Sequence, residues 1–118
     1  MSREDWCRGA ECTKDHHVYV VLLESGVSRL HAVQEVNPRG RPGMAALYVG
    51  TTHLTPAIRF RQHKLGRHGS RWVRKWGISL VPELYQGMNP MYLDVADEAE
   101  RRLTRHLRRR GFYVMGGT

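Results

Sequence analysis

Residues 46–66 read ALYVGTTHLTPAIRFRQHKLG, and this stretch contains both kinds of element that decide the fold. Residues 46–49 form a short apolar run ended by a glycine, which predicts a buried strand. Thr55 is a good helix N-cap, and Pro56 at the first helical position loses no hydrogen bond. The sequence therefore predicts a strand followed at once by a helix that ends at Gly66.

The segment before this unit contains a second apolar run. Residues 17–23, HVYVVLL, are β-branched and apolar, which predicts another buried strand. Residues 24–45 are rich in glycine and proline and predict a loop, with residues 30–36 as a candidate short strand inside it. Residues 1–15 are polar and of mixed charge, and we expect an irregular lead-in.

The segment after this unit contains two helices and one clear strand. The predicted elements are a short helix capped by Ser70 that ends at Trp76, a strand over 78–85 and a long helix over 94–110. Residues 112–115 are a further candidate strand. The order β-β-α-α-β-α predicts an α+β fold with a small, mainly antiparallel three-stranded sheet flanked by helices. We expect residues 16–118 to form one domain.

The charge of the chain points to an anionic partner. The 118 residues carry a formal net charge of +8, with a pI of about 10.2. An excess of this size favours nucleic acid as a partner, although a basic protein without such a partner stays an alternative.

The longest apolar run, residues 18–23, is much shorter than the ~20 residues needed to span a bilayer, and the N-terminus has no apolar signal region. We therefore expect a cytoplasmic protein with no membrane partner. Cys7 and Cys12 precede His16 and His17, but their spacing is a poor match to a structural zinc site, so free thiols are favoured over zinc.

The long helix places one carboxylate among apolar residues. Leu93, Ala96, Leu103 and Leu107 recur at helical spacing and predict the buried stripe. Glu100 falls within this stripe, Asp97 lies at its margin, and Glu98 projects from the opposite face. A carboxylate on an inward face needs a cation or hydrogen-bond donors. Glu100 is thus either a metal ligand or one half of a structural ion pair.

The preceding helix carries a second candidate group. Arg59 and His63 are four residues apart and share one face, while Ile58, Gln62 and Leu65 lie on a neighbouring face that is expected to pack inward. An arginine can hold phosphate oxygens and an imidazole can relay a proton, so the pair suits a phosphodiester. An ordinary solvated basic face is the alternative.

Each predicted early strand contains one tyrosine. Tyr19 and Tyr48 both lie among apolar residues. A buried tyrosine is usually a core residue whose hydroxyl finds a partner. It becomes a catalytic candidate only when a second polar group points at the same place.

Four short motifs in this order resemble the GIY-YIG nucleases. V18-Y19-V20 resembles the first signature and Y48-V49-G50-T51 the second, in its common YVG form. R59-x3-H63 looks like the arginine and histidine of the following helix, and Glu100 followed by Leu103 looks like the metal-binding glutamate of a later helix. The resemblance covers roughly residues 16 to 112.

The resemblance implies metal-assisted hydrolysis of DNA phosphodiester bonds. Glu100 would bind one Mg²⁺, with Mn²⁺ able to substitute, and Arg59 would hold the phosphate. Tyr19 or Tyr48 would orient or deprotonate the attacking water, and His63 would support proton transfer or hold a tyrosine hydroxyl. A tyrosine with an unperturbed pKa of about 10 is a poor base at neutral pH, so a nearby cation would have to lower it.

The chain departs from the family pattern at several points. His17 stands in place of the first glycine, the linker between the two signatures is long, and one residue is added before Arg59. The asparagine that often follows the last helix is absent from GFYVMGG. Whether the contact of this asparagine in relatives has a counterpart here is left open, as is whether the long linker reaches DNA or is a surface insertion.

Residues 67–76 combine basic and aromatic side chains and favour a nucleic-acid surface. The candidate contacts in and beside this segment are His68, Ser70, Arg71, Arg74 and Lys75. His68 is also a candidate active-site residue. The two tryptophans of the segment fit the core face of a helix better than a stacking platform for bases.

Two functions of different class follow from these observations. The first is a Mg²⁺-dependent DNA endonuclease, acting as a monomer or weak homodimer, with a partner protein supplying any long-site targeting. The alternative is a nucleic-acid-binding module of the same fold that has lost catalysis. The sequence alone does not decide the DNA target or the tyrosine that activates water.

Overall fold

The computed structural model describes residues 13–67 and 69–117. Most of the predicted lead-in, Cys7, Cys12 and His68 lie outside these residues. The strands are β1 (His17–Leu23), β2 (Ala46–Thr52), β3 (Gly77–Leu80) and β4 (Tyr113–Gly116). The helices are α1 (His31–Val36), α2 (Pro56–Lys64), α3 (Arg71–Trp76) and α4 (Leu93–Arg109), with short 3-10 helices at Ser25–Arg29 and Pro82–Leu84.

The four strands form one mixed sheet in the order β3-β1-β2-β4. β1 is antiparallel to β2 and to β3, whereas β4 is parallel to β2. Consecutive residues Val18–Val21 are all buried, so the central strand β1 is covered on both faces. The α+β class is confirmed, and the core lies around β1 and β2.

The prediction of a three-stranded, mainly antiparallel sheet is wrong at the two edge strands. Residues 112–115 were only a candidate strand, but β4 pairs with β2 and makes the sheet mixed. The predicted strand over 78–85 ends early, because Pro82 begins a 3-10 helix. The candidate strand over 30–36 is instead the helix α1, in which Leu30 accepts backbone hydrogen bonds from Val33 and Gln34. The order of elements is therefore β-α-β-α-α-β-α-β.

The predicted helix starts are confirmed by their caps. The Thr55 hydroxyl accepts from the Ile58 N–H at 3.3 Å, with Pro56 in the first turn, and the Ser70 hydroxyl accepts from the Trp72 N–H at 3.1 Å. Each cap satisfies a backbone donor that the helix itself leaves unpaired.

The long helix α4 buries the stripe that its periodicity predicts. Ala96, Leu103 and Leu107 are buried, whereas Leu93 at the helix start is only half-buried. Thr104, which was not predicted, is also buried. The helix therefore packs against the sheet with the predicted phase.

Two asparagine side chains bond to the N–H and the carbonyl of one strand residue each, as a neighbouring strand would do. Asn89 accepts from the Val18 N–H at 2.9 Å and donates to the Val18 carbonyl at 2.7 Å. Asn37 bonds the N–H and carbonyl of Val114 in the same way, at 2.9 and 3.1 Å. Both interactions satisfy backbone groups at the margin of the sheet.

Among residues 13–67 and 69–117, no helix is long and apolar enough to cross a membrane.

Candidate active site

Three rings from three different elements meet in one cluster. Tyr19 of β1, Tyr48 of β2 and His63 of α2 have ring centroids 5.8 to 6.2 Å apart. The Tyr19 hydroxyl lies 2.6 Å from His63 Nε2, which is a short hydrogen bond. The structure thus brings together the two tyrosines and the histidine that the sequence singled out.

The strand register explains why both tyrosines point to the same place. Tyr19 pairs with Gly50 and Val21 pairs with Tyr48, and residues paired across an antiparallel ladder share one face of the sheet. A Cβ atom at Gly50 would lie 2.6 Å from the Tyr19 hydroxyl. Gly50 does not end the strand, as the sequence suggested, because β2 continues to Thr52. Its missing side chain instead makes room for the Tyr19 hydroxyl.

A second glycine makes room for His63. A Cβ atom at Gly69 would lie 2.5 Å from His63 Nδ1 and 2.7 Å from its Cα. The backbone therefore passes close to the imidazole, and the Ser70 N–H donates to Nδ1 at 2.7 Å. Sequence reasoning did not assign a role to Gly69. A glycine immediately before a helix N-cap was the only available signal.

These hydrogen bonds fix the tautomer of His63. Because Nδ1 accepts from the Ser70 N–H, the proton of the neutral ring is on Nε2. Nε2–H therefore donates to the Tyr19 oxygen, and the Tyr19 hydroxyl keeps its own proton for another acceptor. His63 is 1% exposed. Burial, aided by the charge of Arg59, lowers its pKa to about 4, so the ring is neutral at physiological pH.

The two tyrosine hydroxyls also interact with Arg59 and Glu100. Burial is the main cause that raises the pKa of Tyr19, and the charge of Tyr48 adds to it. Burial also raises the pKa of Tyr48, while a hydrogen bond with Ser70 opposes the rise. For both hydroxyls, Arg59 lowers the pKa and Glu100 raises it. The four predicted groups on β1, β2, α2 and α4 therefore belong to one electrostatic cluster.

The face of α2 that meets this cluster is only partly the predicted one. His63 is buried and Arg59 is half-buried, with its NH1 donating to the Gln62 side chain at 3.0 Å. Ile58 and Leu65, which were expected to pack inward, are 48% and 62% exposed. The side of α2 that carries His63 faces the interior. This burial is tolerated because the Tyr19 hydroxyl and the Ser70 N–H satisfy both ring nitrogens.

The two glutamates of α4 occupy different environments, as predicted. The Glu98 side chain is 42% exposed and is held by Arg101 and Arg102, with N···O distances of 2.9 and 3.0 Å. Glu100 is half-buried and acts on both tyrosines. Within the described part of the chain, no group of three or more His, Cys, Asp and Glu side chains could hold a metal ion. A metal ion bound at Glu100 would therefore take at most two such side chains from the described part of the chain.

The basic segment of the predicted nucleic-acid surface divides into two parts. Ser70 belongs to the ring cluster through its backbone N–H and through the hydrogen bond with Tyr48. Arg71, Arg74 and Lys75 are exposed on α3. The two tryptophans of this helix are half-buried and stack on each other with centroids 5.2 Å apart, in agreement with the core interpretation.

No family model, curated protein or solved structure gives a significant match to this chain. Function is therefore inferred from the side-chain geometry.

Proposed function

We propose that the chain is a metal-dependent endonuclease of the GIY-YIG type that hydrolyses phosphodiester bonds of DNA. The observation that carries the proposal is the 2.6 Å hydrogen bond between Tyr19 and the neutral His63, beside Arg59 and Glu100. Phosphodiester hydrolysis needs an oriented water, a cation for the phosphate and an anionic ligand for a metal ion. The cluster contains a side chain suited to each of these tasks.

His63 acts as a positioning group in this proposal. Its Nε2–H donates to the Tyr19 oxygen, so the Tyr19 O–H is left for an acceptor other than the imidazole, either the Tyr48 hydroxyl or a water molecule. The lowered pKa of His63 keeps the ring in this state above pH 4 to 5. Of the two roles that the sequence allowed for His63, holding a tyrosine hydroxyl is the better supported.

Tyr19 orients the attacking water in this proposal, and Arg59 holds the phosphate. Because the pKa of Tyr19 is raised by burial, its hydroxyl is protonated at neutral pH and serves as a hydrogen-bond partner. In the overall reaction the oxygen of water bonds to phosphorus, the bond to the leaving oxygen breaks, and a proton from water ends on that leaving oxygen. The guanidinium of Arg59 can bind the phosphate through paired N–H donors.

The side chains near Glu100 fit an open Mg²⁺ site better than a structural zinc site, in which the protein supplies every ligand. Mg²⁺ commonly keeps several waters and uses one or two carboxylates together with substrate phosphates. A single half-buried carboxylate beside two hydroxyls satisfies this requirement, whereas a structural zinc site needs four protein ligands. Bound through Glu100, the ion would supply positive charge for the scissile phosphate.

A metal-dependent cleavage assay tests the proposal. Wild type would be incubated with Mg²⁺ or Mn²⁺ and with single-stranded, duplex, branched and damaged DNA. We expect cleavage of at least one substrate, abolished by EDTA and reduced about 100-fold or more in Glu100→Gln. Glu98→Gln is the matched control, because it removes an exposed carboxylate from the same helix. Equal cleavage by Glu100→Gln and wild type would refute the site.

The non-catalytic nucleic-acid-binding module is the second candidate. It is favoured by the raised pKa of both tyrosines, which leaves neither hydroxyl ionised at neutral pH. In this case wild type and Glu100→Gln would bind DNA equally well, and neither would cleave any of the substrates. A binding measurement beside the cleavage assay therefore separates the two candidates.

A further inference from the structure

A cleft of about 260 Å³ runs along α3, the helix that begins beside the ring cluster. Two indole rings and three cationic side chains line this α3 cleft: Trp72, Trp76, Arg71, Arg74 and Lys75. Ser70, the N-cap of the helix, donates through its N–H to His63 Nδ1 at 2.7 Å. A helix of six residues is about 9 Å long, so the lining of the cleft starts next to His63 and stays near it.

Two consecutive residues of α2 hold both ends of α3. His63 accepts from the N–H of the N-cap at the first turn. The Lys64 ammonium donates to the carbonyls of Arg74 and Gly77, at 3.2 and 3.0 Å, at the C-terminal end. Because Val73 is fully buried, the helix is also held from its middle. The α3 cleft is therefore a preorganised surface at a fixed position relative to the ring cluster.

The tryptophan pair packs against the core on one side and faces the α3 cleft on another. Both rings are half-buried and pack against the core, as the sequence predicted, with their centroids 5.2 Å apart. The ammonium of Lys75 lies 4.8 Å from the centroid of the Trp76 ring. Lys75 is exposed, and an exposed contact between a cation and a ring is weak. The aromatic face under Lys75 is therefore accessible to another flat ring that displaces the ammonium.

The charge around the α3 cleft is positive and is not neutralised by nearby carboxylates. Its three cationic residues are exposed, and no carboxylate of residues 13–67 or 69–117 lies within ion-pair distance of them. Residues 36–82, which include all of α2 and α3, contain no aspartate or glutamate. Glu24 bonds to the end of α3 through its backbone, since its N–H donates to the Trp76 carbonyl at 2.9 Å. A ligand that combines a flat ring with negative charge therefore fits the cleft.

We propose that the α3 cleft binds an unpaired nucleotide of the DNA substrate, with its base stacked on Trp76 and its phosphate beside the cations. Aromatic side chains next to a positive groove are the means by which proteins bind single strands. The bases of a duplex are paired and stacked inside it, so an unpaired base is needed to reach the ring. The choice of DNA rests on the proposed function, whereas the aromatic face and the charge rest on α3. The substrate class is then single-stranded or branched DNA.

The first experiment replaces bases of the DNA and uses the wild-type protein. Binding of labelled single-stranded DNA is measured by fluorescence anisotropy in EDTA, where cleavage cannot occur. One base at a time is replaced by an abasic site, which removes the ring and keeps the phosphate. We expect an abasic site at one position, or at two adjacent positions, to raise Kd about tenfold, because the loss of one stacked base has an effect of this size.

Two variants of Trp76 assign this effect to the cleft. Trp76→Phe keeps an aromatic face, whereas Trp76→Leu keeps an apolar side chain for the core and offers no such face. Phe112→Leu is the matched control, because it removes a half-buried ring that packs against the core outside the cleft. We expect Trp76→Leu to bind single-stranded DNA about tenfold more weakly than Trp76→Phe and the control, and to be insensitive to the abasic site. All three variants should bind a blunt duplex alike.

Lys75→Gln tests the cationic side of the cleft. Lys75 is exposed, so this variant should fold as wild type does. Once the base covers the ring, the displaced ammonium pairs with the phosphate. We therefore expect the slope of log K against log salt to be smaller by about 1, while the response to the abasic site is retained.

Equal Kd values for intact and abasic strands at every position would overturn the inference, and this result does not depend on the folding of any variant. Equal binding of single-stranded DNA by folded Trp76→Leu and Trp76→Phe would overturn it as well. Tighter binding of RNA of the same sequence would overturn the choice of DNA. Failure of the endonuclease proposal would appear separately, as absence of cleavage with Mg²⁺ or Mn²⁺ by a wild type that still responds to the abasic site.

Discussion

The two helices that contribute to the candidate site, α2 and α4, are held against the protein in different ways. α4 buries Ala96, Leu103 and Leu107 in an apolar stripe. α2 buries His63 and leaves Ile58 exposed, and Leu65, the C-cap of the helix, is exposed as well. α2 is therefore held by the polar contacts of His63 together with the half-buried Phe60, which packs against the core, whereas α4 is held by its apolar stripe. The position of Arg59 therefore depends in part on a hydrogen-bond network, whereas that of Glu100 depends on core packing.

The polar attachment of α2 requires that His63 keeps both of its partners. A buried imidazole loses its hydration, and an unsatisfied buried donor or acceptor costs about 1 to 3 kcal/mol. The Tyr19 hydroxyl and the Ser70 N–H satisfy both nitrogens at 2.6 and 2.7 Å. The partners come from parts of the chain 44 residues before and 7 residues after the histidine. The network therefore joins β1, α2 and the start of α3.

The largest effect on stability is expected from the apolar stripe of α4. Leu107 is 2% exposed, so Leu107→Ala removes buried methyl groups and leaves a cavity. We expect a loss of about 2 to 5 kcal/mol in the free energy of unfolding, measured by urea denaturation. A loss below about 1 kcal/mol would mean that α4 is not anchored by this stripe.

The second effect is a pH dependence that belongs to α2. The pKa of His63 is about 4 in the folded protein, below the value of 6.5 for an unperturbed histidine. As the pH falls, the histidine of the unfolded chain therefore takes up a proton before the histidine of the folded protein does. The neutral ring contributes its full stability above pH 6.5. It should fall by about 2 to 3 kcal/mol as the pH drops from 6.5 to 4, with a slope of at most about 1.4 kcal/mol per pH unit.

Unfolding of wild type and His63→Gln across this pH range measures the contribution of the histidine. The glutamine variant should lack the loss between pH 6.5 and 4, while other groups titrate equally in both proteins. NMR titration of the ring provides a direct check. A folded-state pKa near 6.5 would rule out the buried neutral histidine that the site requires.

A smaller effect is expected where the backbone passes over His63. In Gly69→Ala the new methyl would meet Nδ1 and the Cα of His63, and the Ser70 N–H would have to move from its acceptor. We expect a loss of about 1 to 2 kcal/mol from this contact. Gly87→Ala is the control, because a Cβ atom at Gly87 meets no other atom within 4 Å. Equal stability of the two variants would contradict the close packing at Gly69.

The same contrast explains how much of the site could be predicted from the sequence. The periodicity of α4 separates Glu100 from Glu98, because apolar residues at helical spacing mark the buried face. The start of α2 could be predicted from Thr55 and Pro56, since capping depends on neighbours in the chain. Its buried face could not, because burial of His63 depends on Tyr19 and Ser70, which the helical pattern does not contain.

The errors in the predicted sheet have a similar origin. Residues 30–36 have the apolar content of a short strand, yet most of them form the helix α1. This helix is followed by its C-cap Asn37, whose side chain is bound to the backbone of Val114. The parallel pairing of β4 with β2 likewise joins segments more than 60 residues apart. Local patterns predict an element from its own residues, but they do not contain such partners.

The smallest effect is expected from two exposed aliphatic residues, Ile58 of α2 and Leu65 at the C-cap of that helix. Because Ile58 and Leu65 are 48% and 62% exposed, truncating either to alanine removes little buried area, and alanine is also a better helix former than isoleucine. Ile58→Ala and Leu65→Ala should each change the free energy of unfolding by no more than about 0.5 kcal/mol in urea denaturation. Under the proposed function, both variants should cleave or bind DNA as wild type does, since neither side chain belongs to the ring cluster. A loss of 2 kcal/mol or more in either variant would show that α2, like α4, is held mainly by hydrophobic burial, and that the polar network around His63 is not the main determinant of the position of Arg59.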